Sequence, residues 1–114
     1  TGYALSVNGK IACEEVLVED MGSWPDYVFA EDYKLMSLAE LEKSIEQNFH
    51  LPGLPSAAEI EENGLSLGDM QKRMIEKIEE LTLYTIEQGK MISELQQKME
   101  TLEKENAKLR NRTK

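Results

Sequence analysis

Residues 67–112 read LGDMQKRMIEKIEELTLYTIEQGKMISELQQKMETLEKENAKLRNR. Within this stretch an apolar residue recurs at every seventh position from Leu67 to Leu109, and Gln88 is the one polar member of that series. We take these positions as the d positions of a heptad repeat, with the a positions four residues further on. A single helix would leave such a stripe in water. The pattern therefore predicts one long helix that associates with other copies of itself as a coiled coil.

The predicted oligomerisation seam combines most of the a and d positions of this helix. Three of its members are polar (Thr85, Gln88 and Asn106), and polar residues at such positions cost stability while they often fix the register or the number of chains. The full seam consists of Leu67, Met74, Ile78, Leu81, Thr85, Gln88, Ile92, Leu95, Met99, Leu102, Asn106 and Leu109.

Charges beside the seam favour a parallel arrangement. Lys98 occupies a g position and Glu103 the next e position, and Glu105 and Arg110 repeat the relation. Parallel, in-register helices bring such opposite charges together. The heptads leave dimer, trimer and tetramer open. The methionine, threonine and glutamine residues in the seam suit the roomier centre of a trimer, which we favour, with a dimer next.

Composition narrows the classes of partner. The chain has 114 residues and a formal net charge of -9, and residues 1–66 carry three lysines against thirteen acidic residues. An acidic head argues against binding to nucleic acid or to an anionic membrane surface. No apolar run approaches the ~20 residues of a membrane span, so no membrane insertion is expected. Because the chain opens at Thr1 without a methionine, we expect a C-terminal piece of a longer protein.

The N-terminal segment predicts β-strands over residues 3–18. Apolar residues alternate there around a turn signal at Asn8 and Gly9. A hairpin closed at that turn would set Val7 opposite Lys10, so either a bulge shifts the register or the strands pair between subunits. In such a strand Cys13, the only cysteine, would be a small buried residue.

The expected fold class is α+β, with short N-terminal strands, a small helical head and a long parallel coiled coil. Its units would be a β-stranded stalk end at residues 1–19, a head at residues 20–66 and the long helix at residues 67–112. In the head, Ser37 and Ser56 each begin a capping box, and Gly64 follows Asn63 as a helix stop.

An aromatic cluster in the head and apolar residues outside the seam predict that the head docks on the long helix. Aromatic side chains supply large apolar surface for such packing. The predicted docking residues are Trp24, Tyr27, Phe29, Ile75, Tyr84 and Ile86.

Signs of catalysis are weak. His50 is the only histidine, and we interpret it as a structural hydrogen-bonding residue. The sequence has no phosphate-binding loop and no nucleophile or zinc motif. An acidic run at Glu14, Glu15, Glu19 and Asp20 fits the spacing of no calcium loop. We expect no enzyme activity, no cofactor and no metal.

An ordered series of short motifs over about residues 3–92 resembles the C-terminal ends of bacterial and prophage tail-fibre-like surface proteins. It is similar in placement to the endosialidase-type intramolecular chaperone domains that end phage tail fibres and spikes. The motifs are Val7-Asn8-Gly9-Lys10-Ile11, Trp24-Pro25-Asp26-Tyr27-Val28-Phe29, Tyr33-Lys34-Leu35, Ser37-Leu38, His50-Leu51-Pro52-Gly53-Leu54-Pro55-Ser56 and Lys77-Ile78-Glu79-Glu80-Leu81-Thr82-Leu83-Tyr84.

This resemblance implies a parallel homotrimer whose strands continue a fibre stalk and whose helices nucleate its assembly, on a virion tail fibre or at a bacterial cell surface. The chain would serve as a structural trimerisation and folding module. A fibre tip that binds a receptor or glycan is the first alternative, and an autoproteolytic intramolecular chaperone is the second. The Ser-Asp-x-Arg-Leu-Lys type of cleavage motif of the chaperone family is missing here, which argues against self-cleavage.

Overall fold

The computed structural model describes residues 2–19 and 22–112 of the chain. After a 3₁₀ turn at Tyr27–Phe29 come three helices: α1 (Leu38–Asn48), α2 (Ala57–Asn63) and α3 (Leu67–Arg112). With 46 residues, α3 alone is about 69 Å long at the rise of an α-helix. It sets the 86 × 31 × 30 Å dimensions of the molecule. The 3₁₀ turn packs against the N-terminal half of α3, and side chains of α3 bond to the carbonyls of Gly22, Met36 and Gly53.

Both short helices begin as their capping serines predict. The Glu40 amide donates to Ser37 Oγ at 3.2 Å, and the Glu59 amide donates to Ser56 Oγ at the same distance. Each serine thus satisfies a backbone donor that has no partner within its helix. Helix α2 stops at Gly64, whose φ of 76° is a conformation that glycine adopts without steric cost. The predicted caps and stop are confirmed.

The predicted N-terminal strands are wrong, and with them the α+β class. Over residues 2–19 and 22–112 the structure contains helices and irregular segments only. Residues 2–19 make no backbone–backbone hydrogen bond, and Asn8 and Gly9 form only a bend. A strand needs a partner for its backbone groups and a surface on which to bury one face. This segment has neither, since Tyr3 and Leu5 are 82% and 78% exposed.

The units that we expected at residues 1–19 and 20–66 meet at Asp20, which with Thr1 and Met21 lies outside the described residues. Cys13, expected to be buried in a strand, is exposed. This follows from the missing strand pairing, because nothing packs over the segment that carries it.

The core of the described head is thin. Its fully buried side chains are Val28 and Pro25, which lie against α3, and Tyr84 of α3 is the other buried hydrophobic residue. Helix α1 leaves its apolar face half open, with Leu38 and Ile45 exposed by 46% and 39%. So small a core stabilises a domain of this size only marginally.

Helix α1 ends at Phe49, whose left-handed backbone conformation is unfavourable for a residue that carries a Cβ. Phe49 adopts φ 59° and ψ 22°, its amide donates to the Ile45 carbonyl at 2.8 Å, and its ring is 87% exposed. We expect Phe49→Gly to raise the free energy of unfolding by about 1 kcal/mol, because glycine adopts this left-handed conformation without a Cβ clash. Urea denaturation at one fixed chain concentration measures the change.

Phe49→Ala is the matched control, since it removes the ring and keeps the Cβ. If alanine stabilises the protein as much as glycine does, the gain comes from removing the exposed ring and the backbone argument is wrong.

Candidate oligomerisation interface

The predicted seam lies along an open face of α3. All twelve of its side chains are exposed, and among the leucines Leu67, Leu81 and Leu95 are 65%, 63% and 59% exposed. Single exposed apolar residues are ordinary, but a continuous apolar stripe of this length is a feature of interaction surfaces.

The head occupies the opposite side of the same helix. The two buried residues of α3 are Glu79 at a b position and Tyr84 at a g position, exposed by 9% and 8%. The side chains that bond to the head, described below, stand at b, c, f and g positions. On a helical wheel these four form one continuous arc, while a, d and e form the other. The head therefore leaves the seam uncovered.

Three tyrosine hydroxyls join the head to α3. Tyr27 donates to the Glu76 carboxylate, Tyr33 donates to Glu80 Oε2 at 2.5 Å, and Tyr84 donates to the Met36 carbonyl at 2.5 Å. The Tyr27 and Tyr33 rings also contact each other, with centroids 5.9 Å apart and planes tilted by 42°. Together they fix the rotation of α3 relative to the head.

These contacts move the pKa of each hydroxyl further above neutral pH. The hydrogen bond to the Glu76 carboxylate, helped by burial, raises the pKa of Tyr27 to about 12. Burial and the hydrogen bond to Glu80 raise the pKa of Tyr33. Burial also raises the pKa of Tyr84. Because a neutral phenol is the donor in each bond, all three bonds persist at neutral pH.

Basic residues at the start of α3 hold the loops of the head. Lys72 donates to the Gly22 carbonyl, and Arg73 donates to the Gly53 carbonyl. Lys77 pairs with Glu80 at 2.9 Å. The bonds to Gly22 and Gly53 tie two separate loops to one turn of the helix, and the Lys77–Glu80 pair lies within α3 itself.

The six predicted docking residues divide into two groups. Tyr27 bonds to Glu76, Tyr84 is buried, and Ile75 is partly buried. The remaining three stay about half exposed: Trp24, Phe29 and Ile86 at 47%, 54% and 50%.

Sequence reasoning missed the polar side of this contact. Glu76, Glu80, Lys72 and Arg73 lie on the outer face of the predicted coiled coil, where charged residues usually face solvent. Their three- and four-residue spacing is the available signal, but it does not distinguish a docking face from a solvated one. Tyr33 lies in the aromatic-rich segment that also holds Tyr27, but the predicted docking set does not include it.

Among the described residues, Glu79 is the one charged side chain that is buried. Its Oε2 atom has no hydrogen-bond partner. Burial, repulsion from Asp26 and a hydrogen bond to the Asp26 carboxyl raise the pKa of Glu79. An ionised carboxylate in this position is costly, so the folded head binds the proton more tightly than the unfolded chain does.

Other candidate chemistry is sparse in the described part of the chain. Within it, no group of three or more His, Cys, Asp or Glu side chains is arranged to hold a metal ion, and Asp20 of the acidic run lies outside it. His50 Nδ1 lies 3.0 Å from the Leu51 carbonyl. Within the same residues, no helix has the length and apolar character needed to cross a bilayer.

No family model, curated protein or solved structure matches this chain. The resemblance to tail-fibre proteins therefore depends on the short motifs quoted above.

Burial of Glu79 predicts a specific pH dependence. Because its pKa is raised in the folded state, the free energy of unfolding should fall as pH rises from the ordinary glutamate value of 4.5 through the raised value, and should stay lower above it. Glu79→Gln should remove this decline and be more stable at pH 7, since a neutral amide can donate to Asp26. Urea denaturation between about pH 4 and about pH 8 measures both effects.

Glu94→Gln is the control for the loss of one negative charge, because Glu94 is exposed on α3 beyond the head. It should keep the slope of the unmodified chain. A Glu79→Gln variant with the unmodified slope would show that Glu79 is not the titrating group.

Proposed function

We propose that this chain is a non-enzymatic trimerisation and assembly module at the C-terminus of a fibrous protein, of the phage-tail-fibre-like or cell-surface kind. The observation that carries the proposal is the division of α3 into two faces. Hydrogen bonds from the head occupy one face, and the other presents the complete heptad seam to solvent. A helix arranged in this way is ready for partners without rearrangement of its own head.

Burial of the seam would supply the driving force. Apolar surface removed from water contributes about 25 cal/mol per Å², and every apolar seam position of α3 is exposed in the single chain. Association also has a large entropic cost, so a long seam is needed for a stable bundle. With 46 residues, α3 is long enough to carry such a seam.

Assembly through a helix would help a fibre to fold. Helices form within about a microsecond, whereas non-local pairing of long chains is slow. Three chains joined at one end have a high effective concentration for each other. The partners are then two further copies of this chain and the fibre stalk that precedes it. The place of action is a virion tail fibre or the outer surface of a bacterium.

Features of α3 also bear on the orientation of the chains and on how many of them associate. The pairs Lys98 with Glu103 and Glu105 with Arg110 favour parallel chains, although exposed ion pairs contribute only about 0.2–1 kcal/mol each. Thr85 donates to the carbonyl of Leu81 in its own helix at 2.9 Å, so a threonine layer in the seam leaves no unpaired hydroxyl. With the resemblance to trimeric fibre ends, these features favour a parallel trimer over a dimer.

Substitution of two seam leucines by aspartate tests this proposal. We expect the Leu81→Asp, Leu95→Asp variant to be monomeric in multi-angle light scattering at micromolar concentration, where the unmodified chain is trimeric, because three carboxylates would meet in each layer. Circular dichroism should show that α1 and α2 remain folded.

The control variant Ser93→Asp, Ala107→Asp adds the same charge at two exposed b positions of α3 and should remain trimeric. A trimeric Leu81→Asp, Leu95→Asp variant, or a monomeric unmodified chain, would refute the proposal.

A receptor- or glycan-binding fibre tip is the second candidate, and one observation favours it. Trp24 and Phe29, five residues apart in the head, remain half exposed, and exposed aromatic rings are common platforms for sugar rings and peptide side chains. In this case the coiled coil would supply avidity to a weak site.

A glycan array probed with the unmodified chain and with Trp24→Ala tests this candidate. Binding of a defined glycan that Trp24→Ala abolishes, at unchanged molar mass, would support a recognition tip. Phe49→Ala is the control, because it removes a different exposed ring, at the C-terminal end of α1. Equal binding by all three proteins, or none, would exclude the aromatic pair as a glycan site.

A further inference from the structure

An apolar groove runs between the head and the seam. Its volume is about 230 Å³, more than the roughly 150 Å³ cavity that holds a benzene ring. Two seam residues, Ile78 and Leu81, line it together with Tyr84. The groove is thus continuous with the seam on the side where the g positions lie. The head forms its other wall with Met36, Leu41, Leu51 and Pro52.

The opposite flank of α3 carries an uncovered apolar residue at the same level. Ile86, at a b position beside the e positions, is 50% exposed. Helical side chains lean towards the N-terminus, so the surface that Ile86 covers lies about one residue below its own Cα. This is about the level of Thr85, directly after Tyr84 at the upper end of the groove.

Heptad geometry brings these two flanks together in a parallel bundle. A g residue of one helix faces the e residue five positions later in its neighbour. Lys77 therefore faces Thr82 of the neighbouring copy, and Tyr84 faces Gly89. The groove of each copy opens towards the flank of the next copy that carries Thr82, Ile86 and Gly89.

Contacts within a single chain do not explain why residue 89 is a glycine. A glycine in the interior of a helix costs about 1 kcal/mol relative to alanine. A Cβ added at Gly89 would meet no atom within 4 Å, so neither the head nor its own helix needs the missing side chain. The head wall of a neighbouring copy, formed by Met36, Leu51 and Pro52, would need the space that glycine leaves.

We propose that the groove is a binding site for the neighbouring copy of this chain, and that the head of each copy clamps the next helix by packing over its Thr82, Ile86 and Gly89 flank. The inference rests on the proposed function, because it assumes parallel helices. Each copy packs its groove against one neighbour, and its own Thr82, Ile86 and Gly89 flank lies under the head of the other neighbour. Such head-to-tail contacts close into a ring when the rotation fits, and three copies provide that closure here.

Cysteine cross-linking tests the contact. In a Cys13→Ser background, we expect the Leu51→Cys, Ile86→Cys variant to give a covalent trimer with a short bismaleimide on a denaturing gel, since each copy supplies one thiol to each neighbour. The single variants carry one thiol per chain and should give dimers at most. Leu51→Cys, Lys90→Cys is the matched control, because position 90 is an f position that faces away from the seam.

Sedimentation of the same samples separates the two proposals. Trimers without covalent trimer formation above that of the Lys90 control would overturn the clamp and leave the trimerisation module intact. Monomers of the Cys13→Ser chain would overturn both.

A substitution at Gly89 provides a second measurement. Phenylalanine is a better helix former than glycine, so Gly89→Phe should not weaken the single chain. We expect it to weaken trimer formation at least tenfold in sedimentation equilibrium, because the ring would occupy the space into which the neighbouring head packs. Lys90→Phe is the control on the outer face. Equal affinity of Gly89→Phe and Lys90→Phe would overturn the inference.

Discussion

The hydrogen bonds from tyrosines to glutamates determine which side of the long helix stays open. Tyr27 bonds to Glu76 and Tyr33 bonds to Glu80, and both acceptors lie away from the heptad seam. Apolar packing alone would allow the head to pack over the apolar seam of the helix, since hydrophobic attraction has no direction. A hydrogen bond requires its donor and acceptor to meet at a defined distance and angle. The polar contacts therefore keep the head off the seam.

Local signals in the sequence were dependable because local chemistry decides them. The serines that begin α1 and α2 cap their helices through amides three residues away, and Gly64 ends α2 within its own turn. The periodicity from Leu67 to Leu109 likewise corresponds to one uninterrupted helix. In each case the interacting groups are neighbours in the chain, so no knowledge of the tertiary structure was needed.

Interactions between distant parts of the chain were harder to anticipate. A strand over residues 3–18 depended on a pairing partner that the sequence does not specify, and in the structure this segment is irregular and has none. The docking face was chosen for its apolar residues, yet Ile86 and Phe29 remain half exposed while Glu76 accepts a key hydrogen bond. Charged residues at helical spacing look the same in sequence whether they face solvent or a tyrosine hydroxyl.

Beyond the head, α3 repeats one pattern without interruption. From Thr85 to Arg112 its described side chains are all exposed, so the head of the same chain leaves this part of the rod uncovered. Evolution or design could lengthen or shorten it by whole heptads and so change the affinity between copies in steps, while the fold that each copy presents at its base stays the same. In the proposed trimer, the length of this rod would set how long the chains stay together.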